Sequence, residues 1–187
     1  MTETPNPHII DADTMTGGFR PIRRVVLALG SNLGDRAANL QGAVNALADT
    51  PDLKVVGVSP VYENAPVGTP DGSPDFFNAV VVADSTQSAR TLLERALAIE
   101  DAFGRVRGEP GAPRTLDVDL IVVGDRIVDE PDFVLPHPRA HERSFVIVPW
   151  LSVDADGELP RHGKIAELAV ASGDGLTRVD GLELRLE

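Results

Sequence analysis

The 187-residue chain contains no cysteine, which excludes disulfide bridges, thiolate zinc sites and cysteine nucleophiles. Lysine is nearly missing too: Lys54 and Lys164 are the only two, so arginine supplies almost all of the 17 cations. Genomic base composition is the ordinary explanation for that bias. No apolar run approaches the roughly 20 residues that span a bilayer. The N-terminus lacks the charged start and apolar core of a secretory signal. GSNLGDR has no Walker lysine, no GxGxxG follows a strand pattern, and spacing supports no Ser-His-Asp arrangement. Positive charge is also in short supply: the formal net charge is −12, which argues against general binding to nucleic acid or anionic membranes. A cytoplasmic protein is the simplest expectation.

What is present is ordinary for a globular chain, with 42% hydrophobic and 25% charged residues and length enough for one domain with a real core. Residues 1–21 are polar and aperiodic and read as a flexible tail, leaving 22–187 as a single domain. RRVVLALG reads as a strand, and Asp35 caps a helix over Asp35–Ala48, where Ala37, Leu40, Val44 and Leu47 recur at helical spacing. LKVVGVSPVY and DFFNAVVVAD read as the next two strands. A second helix runs from Ser88 to Phe103 and stops at Gly104. A strand over 115–123 follows a Gly/Pro/Arg loop, with a short strand near 126–128, a helix over Arg139–Leu151, another near Lys164–Ala171, and a hairpin in TRVDGLELRL. Strand–helix–strand–strand–helix–strand is the split pattern of a ferredoxin-like sandwich, an α/β (α+β) fold whose mostly antiparallel sheet carries helices on its faces.

RTLDVDLIVVG (114–124) holds the main anomaly. Simple alternation puts Leu116, Val118, Leu120 and Val122 on one face and Asp117, Asp119, Ile121 and Val123 on the other. Solvent exposure of the second face would expose Ile121 and Val123 as well. A better reading buries both faces and leaves the aspartates at the strand's mouth. Their Cα atoms lie roughly 6.5–7 Å apart on one side, where two carboxylates repel unless a cation lies between them. Hard oxygen ligands with room for water and phosphate suit Mg²⁺.

Arg105, Arg107 and Arg114 stand on or beside the loop leading to those aspartates, with Glu109 the one acid among them. A cationic patch in an acidic chain points to an anionic ligand; metal plus guanidinium groups suit polyphosphate. Glu100 ends the apolar stripe of the second helix and marks either a frayed end or a ligand contact. Phe76 and Asn78 share a strand face, which offers a stacking surface beside a donor and an acceptor for a flat, nitrogen-rich heterocycle, or else a core ring and a satisfied amide. In LPHPRAHERSF, His137 and Arg143 are candidate phosphate contacts. A zinc site at His137 and His141 lacks further soft ligands.

Taken in order, LALGSNLGDR, SPVYENAPVG, DFFNAVV, IEDAFGRVR, PRTLDVDLIVVG and LPHPRAHERSFV, spanning about 25–150, resemble 6-hydroxymethyl-7,8-dihydropterin pyrophosphokinases of folate biosynthesis. The resemblance implies transfer of pyrophosphate from ATP to the pterin's hydroxymethyl oxygen, releasing AMP. It implies that Asp117 and Asp119 bind two Mg²⁺ ions, and that Glu100, Arg105, Arg107, Arg114, His137 and Arg143 contact ATP. Arg105 and Arg114 would be catalytic together with the two aspartates. Phe76 and Phe145 would sandwich the pterin, Asn78 would bond its edge, and Asn64, Ala65 and Val67 would complete its pocket. The chain departs from the family where PGAPR replaces an Arg-Trp-Gly ahead of Pro-Arg, and where Leu97 stands in place of a glutamine. Small-molecule substrates and a monomer are the expected partners and state, with no nucleic acid and no membrane. A lapsed nucleotide-binding module and a phosphotransferase with another acceptor are the rival readings.

Overall fold

The computed structural model describes residues 20–65, 74–104, 115–171 and 175–186. The expected tail lies outside them up to residue 19. Strand β1 (Arg23–Ser31) runs through the middle and is buried from Val25 onward. It pairs antiparallel with β4 (Phe76–Ser85) on one side and with β5 (Asp117–Val123) on the other. Helix α1 (Arg36–Ala48) leads to β2 (Leu53–Val58) and β3 (Tyr62–Asn64), which pair with the two ends of β4. A further short strand, Thr177–Arg178, extends the sheet beside β3. The strand order β5-β1-β4-β2 is compatible with the ferredoxin-like arrangement.

Helices cover both faces. On the first, Leu40, Val44 and Leu47 of α1 and Leu92, Ala96 and Ile99 of α2 (Ala89–Ala102) meet Leu27, Leu29, Val81 and Leu120. On the second, Val146, Ile147 and Trp150 of α3 (Ser144–Val153) and Ile165 of α4 (Ile165–Ala171) meet Val26, Val80, Val82 and Ile121. The cap expected at Asp35 forms, accepting from the Ala38 N–H at 3.1 Å, and Ser88, at the expected start of the second helix, accepts from the Thr91 N–H at 3.2 Å. Gly104 follows with φ +78°, ending α2. Gly42 is required by packing: a Cβ there would lie 2.2 Å from Cζ of Phe103, so the ring closing α2 seats directly on the α1 backbone.

Four expectations need correction. LKVVGVSPVY is not one strand, because Pro60 has no N–H to donate and Ser59 uses both its N–H and its Oγ on the Val80 backbone, at 2.9 and 2.8 Å. The Arg139–Leu151 helix is a 3₁₀ turn (Ala140–Glu142) and then α3, separated by an extended Arg143. TRVDGLELRL forms no hairpin: Leu182 and Leu184 join the first core, and Gln41 of α1 holds the Arg185 backbone through bonds of 2.7 and 2.8 Å. The short strand lies at Val128–Glu130 (β6), paired with Phe133–Leu135 (β7).

The alternation in β5 also breaks. Leu120 opposes Leu27 and Val122 opposes Val26, so Ile121 is an extra residue in a bulge. Ile121 and Val122 therefore both face the second core, and Val123 turns to the first.

Candidate active site

On the second sheet face, α3 and α4 cover one end and leave the other to polar residues. Asp117 pairs with Gly30 and Asp119 with Ala28; across β1, Gly30 pairs with Asn78 and Ala28 with Val80. Two carboxylates and an amide thus flank a central strand whose residues there are the smallest available. The resulting hollow can be measured at Gly30: a Cβ would sit 3.4 Å from Asn78 Oδ1, 3.6 Å from Phe76 Cδ1 and 3.9 Å from Asp117 Cβ. Residues expected at a heterocycle and at a metal line one floor.

Asn78 is 4% exposed, and its Nδ2 donates to Asn64 Oδ1. That bond orients the amide, with Oδ1 toward Gly30. Asn64 in turn donates to the Ala65 carbonyl at 3.3 Å. Beyond the aspartates, Arg143 Nη1 lies 3.8 Å from Asp119 Oδ2, with the two side chains 25% and 39% exposed. Its guanidinium carbon stands 5.4 Å from the Phe145 ring centre. The extended backbone at Arg143, which splits the expected helix, is what lets this side chain meet β5.

His137 is tied to the same strand by its backbone N–H, which donates to the Ile121 carbonyl at 2.9 Å. Its Nδ1 accepts from the Arg139 N–H at 3.2 Å. Burial first, then the charges of Arg143 and Arg139, lower its pKa from 6.5 to about 4. The ring is neutral at pH 7, and with Nδ1 accepting, its proton sits on Nε2. His137 therefore presents a neutral donor.

Glu100 lies apart from that face. It is 2% exposed, and Oε1 accepts the Val118 N–H at 2.9 Å, on the peptide between the aspartates. Arg105, Arg107, Arg114 and Val67 lie outside the described residues. Sequence reasoning missed Gly30 as a site residue. A glycine inside a strand signals close approach of backbone or ligand, and that signal was present in LALGS.

Among the described residues, no cluster of three or more His, Cys, Asp or Glu side chains could hold a metal. Two half-buried carboxylates beside Gly30 and Ala28 nevertheless fit Mg²⁺, which binds through one or two carboxylates and completes its shell with water and substrate phosphates.

The comparisons with known proteins show what class of enzyme carries this sheet and its polar mouth. Residues 26–155 match the model of the 7,8-dihydro-6-hydroxymethylpterin-pyrophosphokinase (HPPK) family. A 2-amino-4-hydroxy-6-hydroxymethyldihydropteridine pyrophosphokinase of Mycobacterium leprae is 44% identical over 182 residues, covering 88% of this chain and 92% of that protein. Its Pseudomonas aeruginosa counterpart is 37% identical, covering 86% of this chain and 99% of that one. A Plasmodium falciparum HPPK-DHPS structure superposes with TM-score 0.69 at 14% identity, covering 90% of this chain and 51% of the other, and shares the fold. This chain spans about half of that longer protein. It belongs to the HPPK family and is a pyrophosphokinase. No helix among the described residues is long and apolar enough to cross a membrane.

Proposed function

We propose that this site transfers the pyrophosphate of ATP to the hydroxymethyl oxygen of 6-hydroxymethyl-7,8-dihydropterin, with Asp117 and Asp119 as its Mg²⁺ ligands. Pyrophosphoryl transfer from ATP to a hydroxymethyldihydropterin, a step of folate biosynthesis, is the family's reaction. The observation that carries this reading is the contiguity of Asn78, Phe76 and Asp117 around Gly30. One floor would then hold the acceptor heterocycle and the phosphate-binding metals side by side.

Phe76 and Phe145 would hold the flat ring between them. Asn78, its Nδ2 engaged by Asn64, offers Oδ1 to the donors on the pterin edge; Asn64, Ala65 and Val67 close the pocket. Asp117 and Asp119 would hold two Mg²⁺ ions. When bound, these ions neutralise phosphate oxygens and template an in-line displacement. The hydroxymethyl oxygen forms its bond to the β-phosphorus as the bond to the α-phosphate oxygen breaks, so that AMP leaves and the hydroxyl proton passes to solvent. Arg105, Arg107, Arg114 and Arg143 would clamp the nucleotide, Glu100 would act from behind β5 on the strand that carries the aspartates, and neutral His137 would donate from Nε2. Arg105 and Arg114 would stabilise charge during transfer. No general base is required where positioning supplies the barrier reduction. A cytoplasmic monomer, with residues 22–187 as one domain, accords with the acidic, cysteine-free composition.

The deciding experiment incubates the protein with Mg²⁺, ATP and the hydroxymethyl pterin and follows nucleotide products. AMP in step with pterin pyrophosphate is expected. ADP would mark a phosphotransferase, and tight ATP binding with no AMP would mark a lapsed module.

A further inference from the structure

Among the described residues β5 is the last strand of the sheet, and one of its edges has no strand neighbour there. Such an edge presents backbone donors and acceptors that need covering. Two partners cover it at the site: the Ile121 carbonyl accepts the His137 N–H, and the Val118 N–H donates to the Glu100 carboxylate, both at 2.9 Å. The second is unusual in kind, since a buried carboxylate takes the place of a strand carbonyl. Glu100 reaches that position from α2, whose Leu92, Ala96 and Ile99 are locked in the first core and whose end is fixed by Phe103 on Gly42. The peptide it holds joins Asp117 to Val118, between the two aspartate side chains.

We propose that Glu100 is a positioning residue for the metal site: through Val118 N–H it fixes the spacing and orientation of Asp117 and Asp119, a role exerted from behind β5 and not on the nucleotide. This role rests on the metal reading above. A carboxylate oxygen accepting an N–H forms a charge-assisted bond, and partners behind a metal ligand commonly set metal affinity by about 10–100-fold. The bond needs an acceptor oxygen, which a glutamine amide also supplies and alanine does not.

The test uses the full ¹⁵N-labelled chain, with Glu100→Ala and Glu100→Gln. Three quantities are measured: exchange of the Val118 amide by NMR, Mn²⁺ affinity by EPR with α,β-methylene ATP present, and affinity for metal-free analogue. In Glu100→Ala we expect Val118 exchange to quicken and Mn²⁺ affinity to fall on the order of tenfold, with metal-free nucleotide binding within about twofold of wild type. Glu100→Gln, which retains the acceptor if the alanine variant fails to fold, should restore both to near wild-type values. Equal loss of Mn²⁺ affinity in a folded Glu100→Gln, or loss of metal-free nucleotide binding in step with it, would overturn the role in favour of a direct charge contact. An unchanged Val118 amide or Mn²⁺ affinity in Glu100→Ala would overturn it as well. A wild-type protein that holds no Mn²⁺ with the analogue would sink the metal site itself, and this role with it.

Discussion

The two ends of the second sheet face are built from the same strands yet obey opposite rules. At one end Val26, Val82 and Ile121 lie beneath Ile147, Trp150 and Ile165, with every side chain buried. At the other, four residues away on each of the same strands, the residues become Gly30, Asn78 and Asp117. The first end is closed by apolar contact. The second is left open, lined by small residues and by polar groups whose partners hold them toward the opening. A sheet can therefore carry a site without a separate domain, provided that the polar end draws its order from the apolar one.

Removing the carboxylates should give the largest effect. Asp117→Ala or Asp119→Ala is expected to lower AMP formation on the order of 10⁴-fold, about 5 kcal/mol of transition-state stabilisation, with the melting temperature little changed. Near-normal turnover would remove these residues from the metal site. The converse change at the closed end, Trp150→Ala, should cost about 3–5 kcal/mol of stability in denaturant melts, while the folded fraction keeps its KM values. If KM moved with stability, the two ends would not be separable.

Gly30→Val probes the border between them. The side chain would project among Asn78, Phe76 and Asp117, raising the pterin KM about 10–100-fold, as filling a fitted pocket does, with a smaller change for ATP. A larger rise for ATP would place the heterocycle elsewhere. The smallest effect belongs to His137. Its folded pKa of about 4 lies below the unfolded 6.5, so the unfolded chain takes up the proton first as pH falls. The stability contributed by the neutral ring is present above pH 6.5 and lost as pH falls toward 4. Allowing for solvent screening at a partly exposed ring, wild type should lose roughly 1 kcal/mol more than His137→Gln between pH 7 and pH 5. Equal losses in melts at the two pH values would show that the imidazole is not held neutral.

Much of this contrast could be read in the chain beforehand. Asp117 and Asp119 announced themselves as carboxylates in an apolar strand, and Asp35 marked a helix start by a local bond that sequence spacing reports well. Elements set by distant partners could not be read this way. Ser59 breaks a strand because Val80 lies opposite, and Leu182 and Leu184 follow the first core instead of the glycine turn beside them. Glu100 looked like a frayed helix end or a ligand contact, since nothing in its neighbourhood announces a bond to Val118, 18 residues away. The family motifs supplied the candidate site residues; only the register of β1 against β4 and β5 showed Gly30 lying between Asn78 and Asp117.

The bulge at Ile121 has a consequence for how such a chain can vary. Because it shifts the phase of β5, the aspartates and Val123 are tied together by a count of residues and not by particular side chains. Any apolar residue that fits could stand at 120–122. A chain one residue shorter there would turn both carboxylates into the first core or pull Val123 out of it. Length at this point is under tighter constraint than composition, and a deletion scan would find the forbidden position sooner than an alanine scan.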